Sequence, residues 1–185
     1  MKIPDVRSRY GLFDIWDEVL KRRGPIVIDK SPQYLGSKMA LRLLLMYKEE
    51  RKRDVRIVGL IRDPRDAITS QYVKWHLVQE KKTGIIDSPE RREQKWLAKY
   101  YNLEFVQKKV PDMLMVKYED LVNDRDYTVK QICKYCGIQY QSGMDAHVVP
   151  THIGRHETST NRKVVKWRGN LSVDFQEHMK KYGYS

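Results

Sequence analysis

The chain is poor in cysteine and in long apolar runs. Its two cysteines, Cys133 and Cys136, form one C-x-x-C pair, and without a second pair a four-cysteine zinc site is excluded. A single pair leaves redox chemistry or half a metal site open. However, Thr128 to Tyr135 followed by Gly137 reads as the last turns of a helix, where both cysteines share a face with Ile132 and act as small apolar residues. No apolar run approaches the ~20 residues that span a membrane, and the N-terminal stretch MKIPDVRSRYGLFDIWDEVL has no uninterrupted signal-peptide core. The chain as given is therefore expected to be soluble, and cytoplasmic by default. The histidines His76, His147, His152, His156 and His178 show neither H-E-x-x-H spacing nor a cysteine partner, so no metal is expected. The nucleotide loop G-x-x-x-x-G-K-[ST] is missing too: near Gly36-Ser37-Lys38, Ser31 stands where the first glycine belongs and Ser37 separates Gly36 from Lys38. There is no internal repeat, low-complexity tract, or helix-turn-helix, RNA-recognition or zinc-finger signature.

What is present is a globular composition with a basic excess. At 185 residues, 41% hydrophobic and 32% charged, the chain suits one domain with a real core. Lys and Arg number 36 against 24 Asp and Glu, a formal charge of +12. That excess asks for an anionic partner: nucleotide, nucleic acid, acidic glycan or membrane surface. Charge alone does not choose among them.

Periodicity supplies the order of elements. Leu12, Phe13, Ile15, Trp16, Val19 and Leu20 predict a helix that ends at Lys21-Arg22-Arg23-Gly24-Pro25. Ile26-Val27-Ile28 reads as a short buried strand, with Lys30 on its extended exit because Pro32 disfavours helix at Ser31. A helix carrying Met39, Leu41, Leu43, Leu44 and Leu45 follows and dissolves into Tyr47 to Asp54. Arg56 to Ile61 and Met113 to Tyr118 are further strands; a helix from about Asp87 to Val110, one from Asp124 to Cys136 and a last one from Asp174 to Lys181 complete the pattern. Strands alternating with helices at this spacing predict an α/β fold, a parallel sheet flanked by helices. The expected organisation is one domain over 1–185, with a lead-in and helix in 1–25, a βα core in 26–138, and a basic loop plus C-terminal helix in 139–185.

The most informative stretch is RIVGLIRDPRDAITSQY, residues 56–72. Asp63 is a good N-cap, Pro64 suits the first helical position and Asp66 adds acid to the first turn, so strand, tight turn and helix run together. Ligands of open α/β sheets sit outside the carboxyl ends of strands, and a helix start there offers N–H groups and a positive dipole to an anion. Ser70 lies eight residues after Arg62, about two helical turns on. An arginine and a hydroxyl so spaced can hold two sides of one phosphate. The competing reading is a surface turn with paired Arg and Asp. Lys30, at another strand's carboxyl end, can stabilise charge on a transferred group, or it is an ordinary exposed lysine.

Arg62-Asp63-Pro64-Arg65-Asp66 with Ser70 resembles the R-[DN]-P-x-[DE]…Ser element of the sulfotransferase superfamily. Asp29-Lys30-Ser31-Pro32, one βα unit earlier, resembles its [DEN]-K-[STD]-P element, and Val116-Lys117-Tyr118-Glu119-Asp120-Leu121 its later V-x-Y-E-D-L strand and helix. The tail, with Asn161, Arg162, Trp167, Arg168, Leu171, Gly183 and Tyr184, is similar to carbohydrate sulfotransferases. The resemblance covers about residues 26–184 and implies a P-loop-NTPase-like sulfotransferase fold. It implies that Arg62 and Ser70 bind the 3′-phosphate of 3′-phosphoadenosine 5′-phosphosulfate and that Lys30 meets the transferring sulfonate. It also implies a basic loop with Arg162, Trp167 and Arg168 closing over the nucleotide, although Trp167 can equally anchor the last helix. Tyr118 and Glu119 are expected to serve structure, the Tyr by packing and the Glu by capping or pairing with bases.

Residues 1–25 hold no match to the family's N-terminal P-[KR]-[ST]-G-[ST]-[ST] loop for the 5′-phosphosulfate, so the fold is expected to be N-terminally incomplete. The implied function is transfer of a sulfonate to an acceptor hydroxyl, on a carbohydrate by the tail's likeness, without metal and without specific nucleic acid. The alternative is an inactive homologue or fragment that binds nucleotide or anionic glycan through the same basic surface.

Overall fold

The computed structural model describes residues 8–24, 26–31, 33–71, 88–147 and 171–184. The chain divides into two compact units, Met1–Val55 and Arg56–Ser185.

The first unit is built on two helices. α1 is Arg9–Arg23, started by Ser8, whose hydroxyl accepts the Gly11 N–H at 3.1 Å, and ended at Gly24, whose φ of 111° a residue with a Cβ would resist. α2 is Lys38–Glu50, with Ser37 accepting the Ala40 N–H at 3.2 Å. Phe13, fully buried, stacks on Trp16 at 5.9 Å between ring centres, and both meet the Tyr47 ring edgewise at 5.4 and 4.9 Å. This contact holds the last turn of α2, which ends at Glu50, within the polar run Tyr47 to Asp54 into which the helix was expected to dissolve. Tyr47 is buried and its hydroxyl donates to Asp17 at 2.8 Å, so tertiary packing carries the last turn.

Ile26-Val27-Ile28 departs from expectation. It is irregular rather than a strand, and Ile26 and Ile28 are 56% and 80% exposed. A β-branched run suits a sheet, but it becomes strand only when a neighbour completes its hydrogen-bond ladder, and none does so among the described residues.

The second unit holds the sheet. β1, Val58–Ile61, and β2, Leu114–Lys117, pair in parallel, with Val58 opposite Leu114 and Ile61 opposite Lys117. Parallel neighbours need a long crossover, which here includes α3, Pro64–Gln71, and α4, Pro89–Lys109. Ser88 caps α4 by accepting the Arg91 N–H at 3.3 Å, and Pro89 occupies its first position. Gly59 lets α4 and the sheet approach: a Cβ there would come within 2.7 Å of Met115 Sδ and 3.2 Å of Leu103 Cδ1.

After β2 the chain turns directly into α5, Tyr118–Asn123, and then α6, Arg125–Cys136, which stops at Gly137 with φ 66°. Cys133 is buried on α6 with its Sγ 3.9 Å from Met144 Sδ, and both cysteines are free thiols. The last helix, α7, Val173–Lys181, packs on α4 through fully buried Phe175, whose ring lies 4.8 Å from that of Trp96. Buried Glu93 of α4 accepts from the Ser172 N–H at 3.2 Å and from the Ser172 hydroxyl, tying down the start of α7. The architecture is therefore α/β with a parallel sheet and flanking helices, as expected.

Candidate functional site

The turn after β1 separates its two arginines by role. Asp63 caps α3: its Oδ1 accepts the Arg65 N–H at 2.8 Å, and the Asp66 N–H also bonds its carboxylate. The Arg65 guanidinium grips the same carboxylate, with Nη2 2.6 Å from Oδ2 and Nε 3.0 Å from Oδ1. Burial pushes the Asp63 carboxyl up, but these bonds from Arg65 outweigh it and hold the group below its ordinary value. Pro64 has no N–H and Ala67 donates to the Asp63 carbonyl at 2.9 Å. The first-turn N–H groups, expected to be free for an anion, are thus already satisfied by Asp63. One residue cannot both cap a helix and leave its start open.

Arg62 is held differently. Its guanidinium lies over the Tyr118 ring, 4.9 Å from the centroid, and its Nη2 is 3.5 Å from the Asp66 carboxylate, which is 65% exposed. Such a half-solvated pair contributes little. The Arg62 side chain is itself 25% exposed, yet its Nε is buried and without a hydrogen-bond partner among the described residues. A buried guanidinium N–H left unpaired costs free energy until an acceptor arrives. An oxyanion is the natural acceptor for the guanidinium fork.

The peptide joining Arg62 to Asp63 is fixed at both ends. The Arg62 carbonyl accepts from the buried Tyr100 hydroxyl at 3.3 Å, and the Asp63 N–H donates to Glu119 Oε1 at 2.9 Å. Burial, ahead of smaller effects, pushes the Tyr100 phenol well above its usual range, so it stays a proton donor. Glu119 Oε2 accepts the Tyr184 hydroxyl at 2.8 Å. Glu119 was expected to cap or pair with bases; among the described residues its bonds run instead to an amide and a phenol. The sequence marked Tyr118 and Glu119 as structural but missed Tyr100 and Tyr184 at this turn, whose connection only the fold makes.

Other expected residues fall as follows. Ser70 lies near the end of α3, and its side chain is outside what the structure describes. Lys30 belongs to the first unit, exposed on the irregular segment before Tyr34–Gly36, a 3₁₀ turn. There the Tyr34 hydroxyl donates to Asp29 at 2.5 Å, and burial together with that bond moves the phenol to about 12. Arg162, Trp167 and Arg168 lie outside the described residues. A cleft of about 380 Å³ opens near the carboxyl ends of β1 and β2, lined by Ile61, Lys117, Asp120, Lys181 and Tyr182 among others, and Arg62 is not in its wall. Among the described residues no group of three or more His, Cys, Asp or Glu is arranged to hold a metal ion, and no helix is long and apolar enough to cross a membrane.

The family model described as "Sulfotransferase family" matches residues 10–142 of this chain, well over half its length. The chain belongs to the sulfotransferase family. Two solved structures are similar to this sulfotransferase in fold. One is a sulfotransferase domain from the curacin biosynthetic pathway, at TM-score 0.71 and 15% identity over 94% of this chain and 68% of that one. The other is a sulfotransferase domain from the Synechococcus PCC 7002 olefin synthase, at TM-score 0.66 and 19% identity over 94% of this chain and 64% of that one. No curated protein matches the sequence. Family and fold together support sulfotransfer as the activity class of this sulfotransferase.

Proposed function

We propose that this chain binds 3′-phosphoadenosine 5′-phosphosulfate with Arg62 on the 3′-phosphate and serves transfer of its sulfonate to a carbohydrate hydroxyl. The observation that carries the reading is Arg62 at the carboxyl end of β1, its buried Nε lacking an acceptor among the described residues and its guanidinium seated on Tyr118. A phosphate fits those needs: it accepts from Nε and competes with the weak Asp66 contact. Ser70, eight residues on, is the proposed second contact to the same phosphate. The donor supplies a sulfonate already activated on a phosphate. The chain's residues bind and orient it, and the proposed role of Lys30 is to offset negative charge on the transferring group. Arg162, Trp167 and Arg168 are proposed to cover the nucleotide as one basic loop of a single sulfotransferase domain. The carbohydrate acceptor is supported by the likeness of the tail to carbohydrate sulfotransferases. No metal is required by this chemistry.

Calorimetric titration with 3′-phosphoadenosine 5′-phosphate tests the reading, with 5′-AMP as the ligand lacking the 3′-phosphate. The wild-type chain is expected to prefer the 3′-phosphorylated ligand. Arg62→Ala should weaken that ligand by about 10- to 100-fold, the loss of one charge-assisted contact of about 1.5–3 kcal/mol. Equal binding by Arg62→Ala, with the fold intact, overturns the site. Ligand binding without sulfonate transfer to any glycan offered would make the chain a non-catalytic nucleotide binder.

A further inference from the structure

We infer that Glu119 and Tyr184 are positioning residues, a clamp by which the C-terminal end of the chain sets the direction of Arg62. The inference rests on Arg62 being the 3′-phosphate contact. β1 ends at Ile61, so the next peptide no longer has a ladder partner, and its orientation is open to whatever bonds it finds. The 62–63 peptide finds two: its carbonyl accepts from Tyr100 of α4, and its N–H donates to Glu119, which follows β2. A peptide fixed at both polar ends cannot rotate. The Cα of Arg62 lies in that peptide plane and is held by the same constraint, which sets the base from which the guanidinium approaches Tyr118.

Glu119 in turn needs holding, because a carboxylate on the short α5 has several rotamers. Its second oxygen is taken by Tyr184, a buried phenol. Burial first and this bond second push the Tyr184 phenol far above its ordinary range, so its proton stays in place to donate. Tyr184 is delivered by a reversed turn at the end of α7. Gly183 has φ 73° and donates to the Lys180 carbonyl, and the Tyr184 N–H returns to the Met179 carbonyl, each at 2.9 Å. Lys117 Nζ sits 4.9 Å from the Tyr184 ring centre, and a Cβ at Gly183 would come within 2.9 Å of it. The left-handed φ is what favours glycine here, since the end of the Lys117 side chain can move aside. The chain of contacts runs from Glu93 and Ser172, through α7, to Tyr184, Glu119 and the Arg62–Asp63 peptide.

A bond that merely stabilised the fold would shift melting and leave ligand preference alone. A clamp on Arg62 shifts the preference for the 3′-phosphate. Calorimetry on Tyr184→Phe and Glu119→Ala, with 3′-phosphoadenosine 5′-phosphate and 5′-AMP as the probes, separates the two. Tyr184→Phe should reduce the affinity ratio of the two ligands about three- to tenfold with 5′-AMP affinity unchanged. Glu119→Ala should reduce it further, and Glu119→Gln, which keeps an acceptor for the Asp63 N–H, should recover part of the loss. If wild type shows no preference, or Arg62→Ala keeps it, the Arg62 assignment fails and the clamp with it. If Arg62→Ala loses the preference while Tyr184→Phe and Glu119→Ala keep the wild-type ratio, the clamp alone is wrong. Should Glu119→Ala fail to fold, Tyr184→Phe decides, since it removes one oxygen and leaves the ring packed.

Discussion

Asp17 shows how a single buried charge organises a small helical unit. Its carboxylate, only 12% exposed, accepts from Tyr47 at 2.8 Å and from Arg53 at 2.7 and 3.1 Å, with Arg51 Nη1 at 3.3 Å. Burial pushes the carboxyl up, but the bonds from Tyr47 and Arg53 prevail and hold it below the ordinary 3.8. A depressed folded-state value adds stability that is complete above the unfolded value and is lost as pH falls through the folded one. Urea unfolding should therefore show this contribution intact at neutral pH and fading below about pH 4. Asp17→Ala should cost about 1–3 kcal/mol at pH 7, the penalty of leaving the Tyr47 hydroxyl buried without its acceptor, and should flatten the acid dependence. A midpoint unchanged from wild type would show the network to be inert. Arg62 stands in the opposite condition: its Nε is buried and has no hydrogen-bond partner among the described residues, a condition it shares with the Tyr182 hydroxyl.

At the scale of elements, the helix ends do much of the placing. α6 ends at Gly137 in the left-handed region, with its N–H and that of Ile138 closing back on the Lys134 and Cys133 carbonyls. Arg56 donates to the neighbouring Tyr135 carbonyl, and the Ile57 N–H bonds the Tyr135 hydroxyl at 3.3 Å, so this helix end also seats the start of the β1 segment. A Cβ at Gly137 meets Arg56 Nη1 at an ordinary 3.6 Å, so the cost of Gly137→Ala is conformational rather than steric. It should lower stability by about 1 kcal/mol, read from the urea midpoint at unchanged slope. A fall of several kcal/mol would mean that the seat of β1 had also been lost. At the other end, Asp63 satisfies the start of α3, so the proposed anion contact has to come from side chains.

For the whole molecule, the +12 charge acts at long range and the site at short range. Attraction of a multiply charged nucleotide to a basic surface is screened over about 10 Å at 0.1 M salt. Raising salt from about 50 to 300 mM should thus weaken 3′-phosphoadenosine 5′-phosphate several-fold, while its preference over 5′-AMP persists if the proposed direct contact to Arg62 carries it. Non-specific DNA binding, by contrast, should fall by orders of magnitude over the same range. Calorimetry in the two salts checks both. A preference that vanished with salt would reduce the site to diffuse charge.

Much of this protein was legible along the chain because its causes are local. Gly24 and Gly137 close helices and Asp63-Pro64 turns a strand into a helix, each within a few residues of its effect, whereas the caps Ser8, Ser37 and Ser172 were not read from the sequence. Other features depend on partners the sequence does not identify. Ile26-Val27-Ile28 has the composition of a strand, but composition cannot provide the neighbour that makes one. Tyr184 and Glu119 are 65 residues apart, and Glu119 and Asp63 are 56 apart. Local sequence sets the course of the main helices, the Asp63 cap and the arginine at the end of β1, because propensity and capping act over one or two turns. Packing is what brings Glu119, with Tyr184 behind it, to that arginine's peptide and lets Asp63 take the N–H groups expected for an anion. A hydrogen bond depends on distance and direction in space, and those are set only once helices and sheet have packed.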